Sequence, residues 1–221
     1  MKTTISYQNQ LLPPPYAYAA VLQIEMSQEN AYAQFDLEYL GRESVSDDEL
    51  KSEGFTRADD FSWKGEISNA WKEDIDSFEQ YSYDDEPNEA TYLHIESNGE
   101  SKGFPTDIKK AEVIFHELMQ AILEKSKLES PLYLESCIEG TVHRIKWRFS
   151  ERMIELNDTR SRNWEVGREL LNVIYSIDYE TQKPAKGLKK NSINLGDGLW
   201  YELKKGRVSQ EINRLIDALI S

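Results

Sequence analysis

Apolar and polar residues alternate between residues 16 and 40. Tyr18, Ala20, Leu22, Ile24 and Met26 share one phase, and Phe35, Leu37 and Tyr39 resume it after Ser27-Gln28-Glu29-Asn30. A period of two interrupted by a polar tetrapeptide predicts a β-hairpin. Pro13-Pro14-Pro15 ahead of it cannot donate ladder hydrogen bonds and reads as an extended lead-in, too short to be an SH3-type ligand. Alternation returns at Thr91 to Ser97 and, briefly, at Leu199 to Leu203.

Helical spacing is clearest over residues 106–127, where Ile108, Ala111, Ile114, Phe115, Leu118, Met119 and Ile122 line one face and Thr106 or Asp107 supplies a cap. Ser46 followed by Glu49 is a capping-box pattern and predicts a short helix near 46–53 that ends at Gly54. Further helices are expected over 68–80, 163–175 and 208–220, with an exposed loop at 84–89 and a Lys/Pro/Gly-rich loop at 181–191.

Leu132 to Leu156 reads as a three-stranded meander. With two-residue turns at Glu139-Gly140 and Ser150-Glu151, Ser136 faces His143, Cys137 faces Val142, Glu135 faces Arg144 and Glu155 faces Lys146. Cys137 and His143 then point to opposite sides of the sheet, which rules against a thiol–imidazole dyad. The same register sets the basic stripe Arg144, Lys146 and Arg148 against acids of its own meander, so it reads as a self-neutralised face and not a phosphate site.

The order of elements predicts an α+β fold, with antiparallel sheet or sheets packed against amphipathic helices, in a single domain over residues 1–221. A weak internal echo runs through it: His116 to Leu123 resembles Asn213 to Ile220, Lys102-Gly103 resembles Lys205-Gly206, and Trp71 and Trp164 open corresponding helices. A duplicated ββαβα unit, in pseudo-repeats of about 16–127 and 131–221, would account for it.

A chain of 221 residues buries roughly 70% of its unfolded surface, enough for a sizeable core. The single cysteine, Cys137, cannot form an internal disulfide, and the first residues lack the apolar run of a secretory signal. No window reaches the roughly 18 apolar residues of a membrane span. Cytoplasmic location without membrane association is the expectation.

The net charge of −14 is unevenly placed. Residues 1–105 hold 7 basic and 22 acidic side chains, while residues 106–221 hold 19 and 18. An acidic half repels nucleic acid and anionic lipid, so neither is expected as a partner.

Local motifs yield no catalytic, cofactor or metal residue. His116-Glu117-Leu118-Met119-Gln120 lacks the second histidine of a zinc-protease helix, which makes His116 a surface or boundary residue. The carboxylate pairs Asp47-Asp48, Asp59-Asp60 and Asp84-Asp85 lack the spacing of a calcium loop. Gly196-Asp197-Gly198 is a turn signal, and no phosphate-binding glycine string occurs. Trp63, between Asp60 and Lys64 and outside any expected element, reads as a loop aromatic suited to anchoring a protein.

The expected function is that of a non-enzymatic binding protein with no cofactor, whose acidic surface over residues 43–100 engages a basic protein partner. Asp59, Asp60, Trp63, Asp84 and Asp85 are its candidate contact residues. The alternative is a small-molecule-binding domain or enzyme whose site gathers His94 or His143 with carboxylates distant in sequence. In a third reading, the charge split serves the fold itself or the joining of two chains.

Overall fold

The computed structural model describes all residues except 10, 88, 162, 180–183, 186, 204, 205 and 221, and only the backbone of 160 and 161. Lys205 of the sequence echo and part of the loop at 181–191 therefore lie outside the described residues. The fold is α+β, in two compact units, Met1–Leu128 and Glu129–Ser221.

The first unit is built on strands β1 (Lys2–Asn9), β2 (Tyr18–Met26), β3 (Ala31–Tyr39), β4 (Phe61–Ile67), β5 (Tyr83–Asp84), β6 (Thr91–Ser97) and β7 (Glu100–Pro105). They form one antiparallel sheet in the order β4-β3-β2-β1-β6-β7-β5. The expected hairpin is β2–β3, with Leu22 opposite Phe35 and Ser27 closing the turn through hydrogen bonds with Asn30. Helices α1 (Asp47–Ser52), α2 (Lys72–Ser77) and α3 (Ile108–Lys125) complete the unit. Ser46 Oγ accepts the Glu49 N–H at 3.2 Å and Asp107 Oδ1 accepts the Lys110 N–H at 3.2 Å, so both expected caps form. Helix α3 lies against β4, β6 and β7 and covers one face of the sheet, where Ile5, Leu22, Phe35, Leu93, Phe115 and Leu118 are buried.

Four of these strands escape the sequence reading: β1, β4, β7 and the short β5, whose Asp84 falls in the segment expected as an exposed loop. β1 carries the alternation Thr3, Ile5, Tyr7 among polar residues, and it sits between β2 and β6 near the centre of the sheet. β4 corrects the placement of Trp63. The residue lies in an edge strand, opposite Phe35, and its indole covers Gly65 so closely that a β-carbon there would come within 2.5 Å of it. Gly65 breaks the apolar alternation of Phe61, Trp63 and Ile67, which hides the strand. β7 is hidden in the same way by its polar residues and Gly103.

The second unit has β8 (Leu132–Ile138), β9 (Thr141–Arg148), β10 (Met153–Leu156), β11 (Thr159–Ser161), β12 (Ser192–Asn194) and β13 (Tyr201–Glu202), in the order β11-β10-β9-β8-β12-β13. Helices α4 (Trp164–Tyr175) and α5 (Arg207–Ile220) pack together, and α4 also packs on β10. The meander register agrees with expectation: Ser136 faces His143, Cys137 faces Val142, and Glu155 faces Lys146. Cys137 and His143 are on opposite faces. Glu135 pairs with Arg144 at 3.4 Å, but Glu155 reaches diagonally to Arg148 at 2.8 Å instead of to Lys146.

The two units share one topology. In each, four strands run as a meander, a helix follows, a fifth strand returns antiparallel beside the first, and a hairpin partner and a closing helix end the unit. The short β5 beside β7 is matched by a single bridge from Ala185 to Trp200, next to β13. Trp71, fully buried, and Trp164, 3% exposed, stand at the starts of α2 and α4. The clearest difference lies between the third and fourth strands. Residues 40–60 fill that position in the first unit, and the turn Asn157-Asp158 fills it in the second.

Candidate functional site

The charge asymmetry follows this division. The first unit holds 11 basic and 26 acidic residues, a net of −15, and the second holds 15 and 14, a net of +1. Which of those acids the fold itself uses decides where a partner could bind.

Of the seven acids of residues 43–60, Asp47, Glu53, Asp59 and Asp60 are tied into the fold. Arg42, 5% exposed, pairs with Asp59 at 2.7 Å and gives hydrogen bonds to the carbonyls of Pro15 at 3.1 Å and Thr56 at 2.6 Å. Its guanidinium lies 3.5 Å from the centre of the Tyr39 ring and 4.6 Å from that of Phe55. Asp59 also accepts the Thr56 N–H and hydroxyl, and these bonds, ahead of Arg42, hold its carboxyl below the usual range. Arg57 pairs with Asp47 at 2.7 Å and ties down the carbonyls of Arg42 and Val45. Asp60 accepts the Tyr39 N–H at 2.9 Å. Asp59 and Asp60 are therefore joints of the loop.

The five candidate residues fall into two groups. Asp59, Asp60 and Trp63 lie at the β4 edge, and Asp84 and Asp85 at the β5 edge. Six strand spacings separate these edges, about 29 Å at about 4.8 Å each. The sheet does not bring the groups together at one point: Trp63, opposite buried Phe35, lies on the side that α3 covers, whereas Asp84 lies on the other face.

That face, the one turned away from α3, is open. Val21 is 37% exposed and Tyr32 46% on it, and it carries Glu25, Asp36, Glu38, Glu66, Glu96 and Asp84 against Lys2 and Lys64. At its β5 end the next residues, Asp85, Glu86 and Glu89, are exposed, and no side chain of Asp84, Asp85, Glu86 or Glu89 has a hydrogen-bond or ion-pair partner among the described residues. His94 is also here, with Ser101 Oγ at 2.8 Å and the Phe104 ring at 5.2 Å. His143, in the second unit, lies 3.5 Å from the Asn157 amide. Among the described residues no group of three or more His, Cys, Asp or Glu is placed to hold a metal.

A second polar cluster lies under α3. Tyr18 and His116 Nε2 are hydrogen-bonded at 3.1 Å, Thr91 donates to Glu112 at 3.0 Å, and Tyr7 stacks on Phe115 with ring centres 4.5 Å apart. Burial raises the Tyr7 hydroxyl far above its ordinary value. Burial also lowers the His116 imidazole, although Glu112 opposes the shift. A histidine held neutral in the fold leaves stability intact above the ordinary imidazole range and removes it as pH falls through the depressed value. Urea denaturation should thus give a lower midpoint at about pH 5 than at about pH 7, and His116→Gln should flatten that difference. An unchanged difference would assign the pH response to other groups.

No family model, curated protein or solved structure matches this chain. No described helix is long and apolar enough to cross a membrane.

Proposed function

We propose that this protein is a cytoplasmic binding protein whose acidic first unit engages a basic protein partner across its open sheet face, as an inhibitor, immunity or adaptor module does. One observation carries the reading. On the open face and its β5 end, Glu38, Glu66, Asp84, Asp85, Glu86, Glu89 and Glu96 are acids whose side chains bond to none of the described residues, and they outnumber the lysines there. Like charges held close on a folded surface repel one another, and a basic partner relieves that repulsion while being steered to the face. Nucleic acid and anionic membranes are disfavoured by the same field.

The test uses residues with no structural task. Asp84→Asn, Asp85→Asn and Glu86→Gln combined should leave the melting temperature within about 2 °C of the wild type, because exposed, unpaired carboxylates contribute little to the fold. The same variant should bind the cognate basic protein about tenfold more weakly, with a shallower salt dependence between about 0.05 M and about 0.5 M. A partner held equally well by the variant at both salt concentrations would overturn the reading.

A further inference from the structure

Arg42 shows how this fold holds a guanidinium. Two aromatic rings, Tyr39 and Phe55, flank it, and Asp59 pairs with it. The β5 end of the open face repeats those parts, and no Lys or Arg of the described residues lies over its rings. Phe104 lies with its ring centre 5.3 Å from Tyr92 and 5.2 Å from His94, both nearly edge to face, and all three are half-exposed. Asp84 is the cross-strand neighbour of Phe104, which puts its Cβ about 5 Å from that of Phe104 and on the same face. Glu96 follows His94 on that face. Lys102, on the neighbouring strand, is engaged with Glu79 at 3.1 Å.

We propose that Phe104, Tyr92 and Asp84 form the docking point for an arginine side chain of the partner. The proposal rests on the acidic face being the binding surface and names what it grips. A guanidinium is planar and weakly hydrated, so it stacks on an aromatic face while its edge donates to a carboxylate. An ammonium keeps its water more tightly and presents no plane to stack. Charge alone does not tell the two apart, whereas rings beside a carboxylate do.

Gly103 makes the arrangement accessible. With φ at +105°, a β-carbon there would sit 2.5 Å from the Asp84 carbonyl oxygen, so only glycine lets β5 approach β7 this closely. The Thr106 N–H bonds to the Ser82 carbonyl at 3.0 Å and fixes the approach from the other side.

The experiment compares hexa-arginine with hexa-lysine on the full chain by calorimetry, and locates the bound arginine in the wild type by NMR contacts to the Phe104 and Tyr92 rings. Arginine should bind about fivefold more tightly than lysine. Phe104→Leu and Tyr92→Leu should each reduce arginine binding about fivefold and leave lysine binding within about twofold. Equal binding of the two peptides, unaffected by ring removal, would overturn the docking point and leave the acidic-face reading standing. Binding of neither peptide to the wild type would remove both. Because the NMR contacts are read on the wild type, arginine contacts confined to other residues would also overturn the docking point, whether or not the leucine variants fold.

Discussion

Arg42→Met is expected to destabilise the first unit by about 3 kcal/mol, lowering its melting temperature by about 10 °C. The substitution keeps an unbranched side chain of similar reach but removes the donor that joins its own segment to Pro15 and to the turn that holds Thr56 and Asp59. Asp59 is then left with the Thr56 bonds alone, and two carbonyls lose their donor. Tyr39 and Phe55 lose the cation between them. The wild type should also lose stability in acid with a definite sign. Asp59 has a carboxyl held below its unfolded value, so its contribution is complete above the ordinary carboxylate range and disappears as pH falls through the depressed value. The melting temperature measured from about pH 7 to about pH 3 should fall more steeply for the wild type than for Arg42→Met. Parallel curves would show that the loop over residues 40–60 stands without this pair.

Gly103→Ala is expected to cost about 3 kcal/mol and to act where the partner is proposed to bind. A non-glycine residue at that positive φ is strained by about 1 to 3 kcal/mol, and the new methyl meets backbone that cannot turn aside as a flexible side chain could. Relief requires β5 to lift from β7. Amide hydrogen exchange over Tyr83–Asp84 and Phe104–Pro105 should accelerate, with the β2–β3 hairpin unchanged. Arginine-peptide binding should weaken as Asp84 leaves the side of Phe104. Unchanged protection of β5 would mean that Gly103 is not what sets its position.

The parts legible in the sequence are those where one local pattern suffices. The β2–β3 hairpin, the capped helices and the register of the β8–β9–β10 meander need only alternation, caps and turn residues, and Glu139 and Gly140 duly adopt positive φ. β1 and β4 are different. Each is polar or glycine-interrupted, and each is a strand because a neighbouring strand completes its hydrogen bonds. The candidate surface was legible as charge and illegible as geometry. Asp59 and Asp84 look alike in sequence, but one is held by a buried arginine and the other faces solvent beside Phe104. Nothing near Asp59 announces that Arg42, 17 residues away, turns back to it. Phe104 and His94 carry no shared sequence pattern, and only the β6–β7 pairing makes them neighbours.

The central position of β1 has a consequence for how the chain is made. As it leaves the ribosome, β1 to β4 can pair in the order of synthesis, but the second edge of β1 finds its partner only when β6 emerges, with Ile5 set against Ile95. The second unit imposes the same delay, since β8 waits for β12. Each nascent unit therefore passes through a stage with one bare inner edge and a half-built sheet. Until its partner strand is made, each such edge is open to non-native pairing.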